Sequence, residues 1–224
     1  MAIDLKKRLI TSVILMALTA ACLFIHPYVF VISIVAVSYI AFFEISIIIE
    51  KIFKKNKNKI KYSFYLNGFS LLYVFLIFGV FSLALYLKYG AIFFLFLLSI
   101  SIFSDIGGFI FGKLFGGKKL TKISPNKTYS GSFGSLLLSV VPLFILSTIF
   151  SDANILSLKG LILCLIISLV TQAGDLFVSF LKRKAKLKDS GNILPGHGGI
   201  LDRVDGIIFA IPFSYILINS YNFF

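Results

Sequence analysis

The chain has 224 residues, 58% apolar and 16% aromatic, with only 14% charged and a mean hydropathy of +1.00. A soluble globular domain carries about a quarter charged residues, so an aqueous setting for the whole chain is excluded. The formal charge of +13 does not mark a nucleic-acid binder, because Lys and Arg fall in short blocks between apolar runs, where they orient helices and meet anionic headgroups.

Apolar runs of about 20 residues are long enough to cross a bilayer. They predict an all-α, polytopic transmembrane helical bundle of about seven spans, near residues 9–25, 28–49, 64–87, 90–111, 132–150, 160–181 and 206–223. Lys6-Lys7-Arg8 before the first run resembles a signal-peptide start, and Thr19-Ala20-Ala21-Cys22 loosely resembles a lipoprotein cleavage site. Thr19 stands where Leu is usual and a second run follows closely, so the first run is read as an uncleaved span. Pro27 separates the first pair, and Tyr89-Gly90 links the third span to the fourth. Cys22 and Cys164 lie inside apolar runs without metal-type spacing and imply no disulfide framework. The long loops are 50–63, 112–131 and 182–205.

The basic residues orient this bundle. With a cytoplasmic N-terminus, the inside segments hold 20 of the 22 Lys and Arg residues, leaving Lys88 and Lys159 outside. Such a bias is the positive-inside pattern. It places the glycine-containing loops 112–131 and 182–205 on the cytoplasmic side, where nucleotides are found. Loop 50–63 is a headgroup-facing basic patch.

Only nine residues are acidic. Asp4, Glu50, Asp152 and Asp189 sit in loops or at ends, whereas Glu44, Asp105, Asp175, Asp202 and Asp205 fall within or at the edges of apolar runs. Carboxylates there are costly and normally face a polar cavity with a partner. At about 100° per residue, Asp175, Ser179 and Lys182 share one helix face. Asp202 and Asp205 are spaced i, i+3 where the last span begins. Few, hard oxygen ligands suit magnesium, whose shell is completed by phosphate and water. The plainer alternative is a buried ion pair joining two helices. Between these acids runs Pro195-Gly196-His197-Gly198-Gly199, whose glycines let backbone amides approach a phosphate. His197 is read either as a phosphate donor or proton-transfer group or as a loop-fixing side chain. Ser124, Lys127 and Thr128 form a second polar cluster, fit for phosphate or nucleotide, or simply a Pro125 turn.

Two patterns mislead. Gly107 through Gly112-Lys113 has P-loop glycine spacing, but Leu114 replaces the required hydroxyl, so Gly108 and Gly112 are read as helix-packing positions. Asn126-Lys127-Thr128 is a glycosylation sequon on the cytoplasmic side.

The run Ser179-Phe180-Leu181-Lys182-Arg183, then Lys188-Asp189-Ser190-Gly191, then Pro195-Gly196-His197-Gly198-Gly199, then Leu201-Asp202-Arg203-Val204-Asp205 resembles the motif of phosphatidate cytidylyltransferases (CDP-diacylglycerol synthases). Gly174-Asp175-Leu176 fits the same pattern. A second block resembles the family through Ser104-Asp105, Gly112-Lys113, Phe115-Gly116, Ser124-Pro125-Asn126-Lys127-Thr128 and Gly131. It departs where Ser130 replaces a frequent acid and Gly108-Phe109 a more usual Ala-Tyr. The resemblance covers residues 100–224 more loosely, and the N-terminal helices match only in character. It implies N-terminal transmembrane helices over 1–100 and a catalytic transmembrane region over 101–224.

The resemblance further implies transfer of CMP from CTP to phosphatidate, giving CDP-diacylglycerol and pyrophosphate at a bacterial-type inner membrane, on its cytoplasmic face. Its expected cofactor is Mg2+, with K+ an open addition. Asp175, Asp202 and Asp205 are the expected metal ligands. Lys182, Arg183 and Arg203 would steady phosphates, with His197 beside them in the catalytic set. Ser124, Lys127, Thr128, Ser179, Gly198 and Gly199 would contact nucleotide or lipid phosphate, supported by Asp105. Membrane lipids are the other expected partners, nucleic acid is not one, and glycine-rich helix faces suit a homodimer. Two alternatives remain at this point: a CTP-dependent polyprenol or phytol kinase, and an ion-coupled transporter whose intramembrane acids form a path.

Overall fold

The computed structural model describes residues 2–54, 60–121, 123–150, 156–194 and 198–221. Among them the secondary structure is helical, apart from two isolated antiparallel bridges, Lys119 with Thr128 and Leu194 with Gly198. The helices are α1 (Ala2–Phe24), α2 (Pro27–Phe53), α3 (Ile60–Leu72), a π-helical segment (Tyr73–Gly79), α4 (Val80–Phe115), α5 (Tyr129–Leu138), α6 (Val141–Phe150), α7 (Leu158–Lys184), α8 (Leu201–Val204) and α9 (Ile207–Tyr221).

The helix ends follow local chemistry. Pro27 occupies the first turn of α2, where a missing N–H costs nothing, and the His26 imidazole accepts from the Tyr28 amide at 3.3 Å. Gly90 leaves helical geometry at φ 83, ψ 174, a conformation open to glycine, so α4 is broken at the expected link. The run expected as one span over 132–150 is split into α5 and α6. Pro142 cannot supply an amide to the ladder and crowds the preceding turn.

Among the described residues, four segments are long and apolar enough to cross a membrane: Pro27–Phe53, Ile60–Phe115, Tyr129–Ile149 and Leu158–Lys184. Ile60–Phe115 has 56 residues, enough for two passes of about 20 residues each, and contains the Gly90 break. The apolar stretch Val13–Phe24 and the 15-residue α9, which carries Pro212, are shorter. Length and composition therefore support a polytopic helical bundle, and they do not fix the count at the seven spans expected.

The chain forms two compact units, Met1–Leu83 with Leu181–Val204, and Ala84–Phe180 with Asp205–Phe224. Residues 181–204 thus fall in the unit that holds the N-terminal helices. In the first unit α2 packs against α1, α3, the π segment and α8. Phe30, Ile34, Ala41, Ile48, Val74, Phe78 and Leu201 are buried there. The Ser38 hydroxyl, also buried, lies 3.4 Å from the Val74 carbonyl in the π segment.

In the second unit Leu97, Ile100, Leu143, Leu163, Ile167, Ile208 and Ile211 are buried. Hydroxyls stitch its helices: Ser101 to Thr171 at 3.0 Å and Ser104 to Ser168 at 2.7 Å join α4 to α7. Such bonds substitute for hydrophobic driving force where the surroundings are apolar. Glycines bring α4 against α5. A Cβ on Gly107 would stand 2.2 Å from the Gly134 carbonyl oxygen, and one on Gly131 would stand 2.8 Å from that of Gly108. The packing role expected for Gly108 and Gly112 is thus met within the chain.

Candidate active site

In the second unit a cavity of about 240 Å³ is lined by residues of α4, α5, α7 and the loop before α5. Asp105 comes from α4, Asn126 and Lys127 from the loop, Ser132 and Ser135 from α5, Gln172 and Asp175 from α7. The loop is shaped by its backbone. The Leu120 amide donates to the Lys127 carbonyl at 2.7 Å and the Tyr129 amide to the Lys118 carbonyl at 3.1 Å. Thr128 caps α5 by accepting from the Gly131 amide at 3.1 Å, the usual role of a hydroxyl at a helix start.

The Asp175 carboxylate is the focus of this cavity. Its Oδ2 is ion-paired with Lys127 Nζ, and its Oδ1 accepts from the Ser179 hydroxyl at 3.2 Å. Both members of the pair keep about a quarter of their side-chain surface exposed. Gln172, one turn before Asp175, accepts from the Ser132 hydroxyl at 2.5 Å and donates to the Ser168 hydroxyl at 3.3 Å, tying α5 to α7. Two carboxylates, an ammonium group and several hydroxyls in one cleft can hold a phosphate together with a hard cation. Magnesium is commonly held by one or two carboxylates plus substrate phosphates, a donor set that Asp105 and Asp175 fit. Among the described residues no three His, Cys, Asp or Glu side chains gather closely enough to hold a metal by themselves.

The first unit holds a different arrangement. Lys182 Nζ, at the end of α7, stands 2.6 Å from Asp202 Oδ1, and Asp202 Oδ2 accepts from the Ser190 amide at 2.8 Å and the Gly199 amide at 3.0 Å. Burial alone pushes the Asp202 carboxyl upward. The Lys182 ammonium and the two amides outweigh it and hold the group below the ordinary carboxylate range. Gly198 has φ +84, and a Cβ there would lie 2.6 Å from Asp202 Oδ2, so this turn suits glycine twice over.

The expected site residues thus fall in both units. Asp105, Lys127, Thr128 and Asp175 line one cavity, and Ser179 joins them through Asp175. Ser124 stands in the Pro125 turn, its amide bonded to Thr121 Oγ1 and its carbonyl to the Lys127 amide. Lys182, expected to steady phosphate, is engaged by Asp202 and is 8% exposed. The Gly199 amide, expected to face phosphate, donates to Asp202, and the Gly198 carbonyl accepts from the Leu194 amide at 2.9 Å. Arg183 closes the end of α7 by donating to the Leu187 carbonyl at 3.1 Å. Arg203 is exposed on α8. Asp202, expected as a metal ligand, offers its oxygens to three donors. Asp205 accepts from the Gly206 amide, and its carbonyl packs beside Gly174. His197, with Pro195 and Gly196, lies outside the described residues.

Sequence reasoning assigned no role to Gln172, Ser132, Ser135 or Asn126, although Gln172 stands three residues before Asp175 and therefore on its helix face. It noted Glu44 only as an acid in an apolar run. The Glu44 carboxylate accepts from the Ser190 hydroxyl at 2.6 Å and from the amides of Leu201 at 2.9 Å and Ile200 at 3.1 Å.

Comparison with known proteins agrees with the resemblance. A phosphatidate cytidylyltransferase of Staphylococcus saprophyticus is 50% identical over 117 residues, covering 51% of this chain and 44% of that protein. One from Helicobacter pylori is 41% identical over 142 residues, covering 62% and 52% respectively. One from Staphylococcus aureus is 48% identical over 117 residues, covering 51% and 44%. The chain spans about half the length of the curated relatives it matches. The model of the cytidylyltransferase family matches residues 45–221, which include every lining residue of the cavity. The chain belongs to the cytidylyltransferase family.

Proposed function

We propose that this chain transfers CMP from CTP to phosphatidate, giving CDP-diacylglycerol and pyrophosphate. The observation that carries the proposal is the cavity in which Lys127 and Asp175 meet beside Asp105 and Thr128, within a chain of the cytidylyltransferase family. The similar bacterial proteins bear the name of this reaction.

A phosphatidate phosphate oxygen attacks the α-phosphorus of CTP, a new P–O bond forms, and the α–β bridge bond breaks with its electrons leaving on pyrophosphate. Catalysis of such transfers rests on positioning and on neutralising the growing charge. Lys127 supplies a cation at the cavity wall. Thr128 and Ser132 supply hydroxyls, and Ser179 orients the Asp175 carboxylate. Mg2+ is the cofactor proposed; Asp175 with Asp105 would hold it, and it would supply charge neutralisation on the triphosphate. The charge pattern supports an inner-membrane protein with cytoplasmic N-terminus and cavity. A lipid headgroup at the interface and a nucleotide from water can meet in such a location.

The test uses purified protein, phosphatidate, Mg2+ and CTP labelled at either the α- or the γ-phosphate. Label from α-CTP and none from γ-CTP is expected in the lipid. Label from γ-CTP instead would make the chain a lipid kinase, and label from neither would refute the proposal.

A further inference from the structure

On the reading that this chain transfers CMP, we propose that Glu44 of α2 is a positioning residue, whose buried carboxylate holds together the two ends of the loop spanning residues 190–201. Glu44 stands just before the stretch that matches the family, 45–221, and it belongs to the N-terminal helices rather than to either polar motif. It is 1% exposed on an apolar helix, a setting in which a carboxylate persists only with compensating donors.

The donors come from both ends of the loop. At the near end the Ser190 hydroxyl donates at 2.6 Å; at the far end the Leu201 and Ile200 amides donate at 2.9 and 3.1 Å. Asp202 grips the same two places through other atoms, the Ser190 and Gly199 amides. Ser190 is thus held by its backbone through one carboxylate and by its side chain through the other. The sequence is fitted around this contact. A Cβ on Gly199 would lie 2.3 Å from one Glu44 oxygen, and one on Gly191 would lie 2.6 Å from a Glu44 oxygen. The glycines of the motif leave room for Glu44 here. Through this contact the helix α2 sets the place of Asp202 and of the loop that carries the family pattern.

Glu44→Gln keeps the size of the side chain but turns an NH2 group toward donors, so the loop ends should part. Hydrogen exchange of the chain in nanodiscs reads this directly. The Ile200 and Leu201 amides should exchange at least about tenfold faster in the variant while α4–α7 stay unchanged. Turnover per CTP-binding site should fall about ten- to a hundredfold with binding stoichiometry kept, as for residues that orient a site from behind. A merely structural role would lower stoichiometry and leave turnover per remaining site unchanged. Ser190→Ala removes one of the three contacts and should show a smaller effect of the same pattern, which decides the matter if Glu44→Gln does not fold. Unchanged exchange at residues 200 and 201, or faster exchange with full turnover per site, overturns the proposal. Wild-type protein that transfers no CMP would refute the function instead, and the exchange comparison would still test the contact.

Discussion

Lys182 Nζ lies 2.6 Å from Asp202 Oδ1, and the two side chains are only 10% and 9% exposed. They are 20 residues apart, one ending a long helix and the other in the single turn of α8. A buried pair of this kind costs about 3–5 kcal/mol when one partner alone is removed, because the other is left as an uncompensated charge. Asp202→Asn and Lys182→Met are therefore each expected to lower the unfolding temperature in detergent clearly. Combining Lys182→Met with Asp202→Leu should recover much of the loss. Additive losses in the double variant would contradict a coupled pair.

The same pair predicts an acid limb of stability. The folded-state pKa of Asp202 lies below its ordinary 3.8. A depressed carboxyl lends stability that is fully present above the unfolded pKa and is lost as pH falls through the folded one. Thermal unfolding followed from about pH 6 to about pH 3 should fall at the acid end, and Asp202→Asn should flatten that part of the curve. A variant with an acid limb as steep as the wild type would contradict the assignment.

Close packing of α4 on α5 makes a third prediction. A Cβ on Gly134 would stand 2.4 Å from Phe111 side-chain carbons and 2.7 Å from the Gly107 carbonyl oxygen. Over-packing of this sort costs about 1–3 kcal/mol, so Gly134→Ala should destabilise the protein by that amount. Because the cavity is walled by these two helices, CTP affinity should drop as well. Unchanged unfolding temperature and affinity would show that the helices can separate freely.

Which parts of this organisation were legible beforehand follows from the range of the interactions. The Gly90 break, the Pro27 start of α2, the packing role of Gly108 and Gly112, and the shared face of Asp175 and Ser179 each depend on neighbours within a few residues or on helical periodicity. The Asp175 bond to Ser179 is an i, i+4 contact and needed no tertiary knowledge. The partners of the acids were not legible. Lys127 reaches Asp175 across 48 positions, and Glu44 reaches Ser190 across 146, distances over which helical geometry says nothing. For that reason helical periodicity pairs Lys182 with Asp175, its neighbour on the helix, whereas the folded chain pairs it with Asp202. The motif glycines were read as phosphate donors because their amides were known to be available but not where they point. The Gly199 amide is directed at a carboxylate of the protein itself.

Lys127 tests the proposal that the cavity takes a nucleotide. Its pair with Asp175 is about a quarter exposed, and pairs in that setting contribute about 1 kcal/mol or less to stability. Lys127→Ala should leave the unfolding temperature nearly unchanged while raising KM for CTP and lowering kcat/KM by at least about tenfold, since a cation facing phosphate is lost. Unchanged kinetics would remove Lys127 from the substrate contacts.

Asp175 carries the central claim, because it lines the cavity, meets Lys127 and Ser179, and lies in the family pattern. The most direct measurement is Mg2+-dependent transfer of α-labelled CMP to phosphatidate by purified wild type and Asp175→Asn, with unfolding temperature recorded alongside. Loss of transfer by at least about a hundredfold, with the unfolding temperature kept within a few degrees, is the expected result. A stable Asp175→Asn protein that transfers CMP at the wild-type rate would contradict the account.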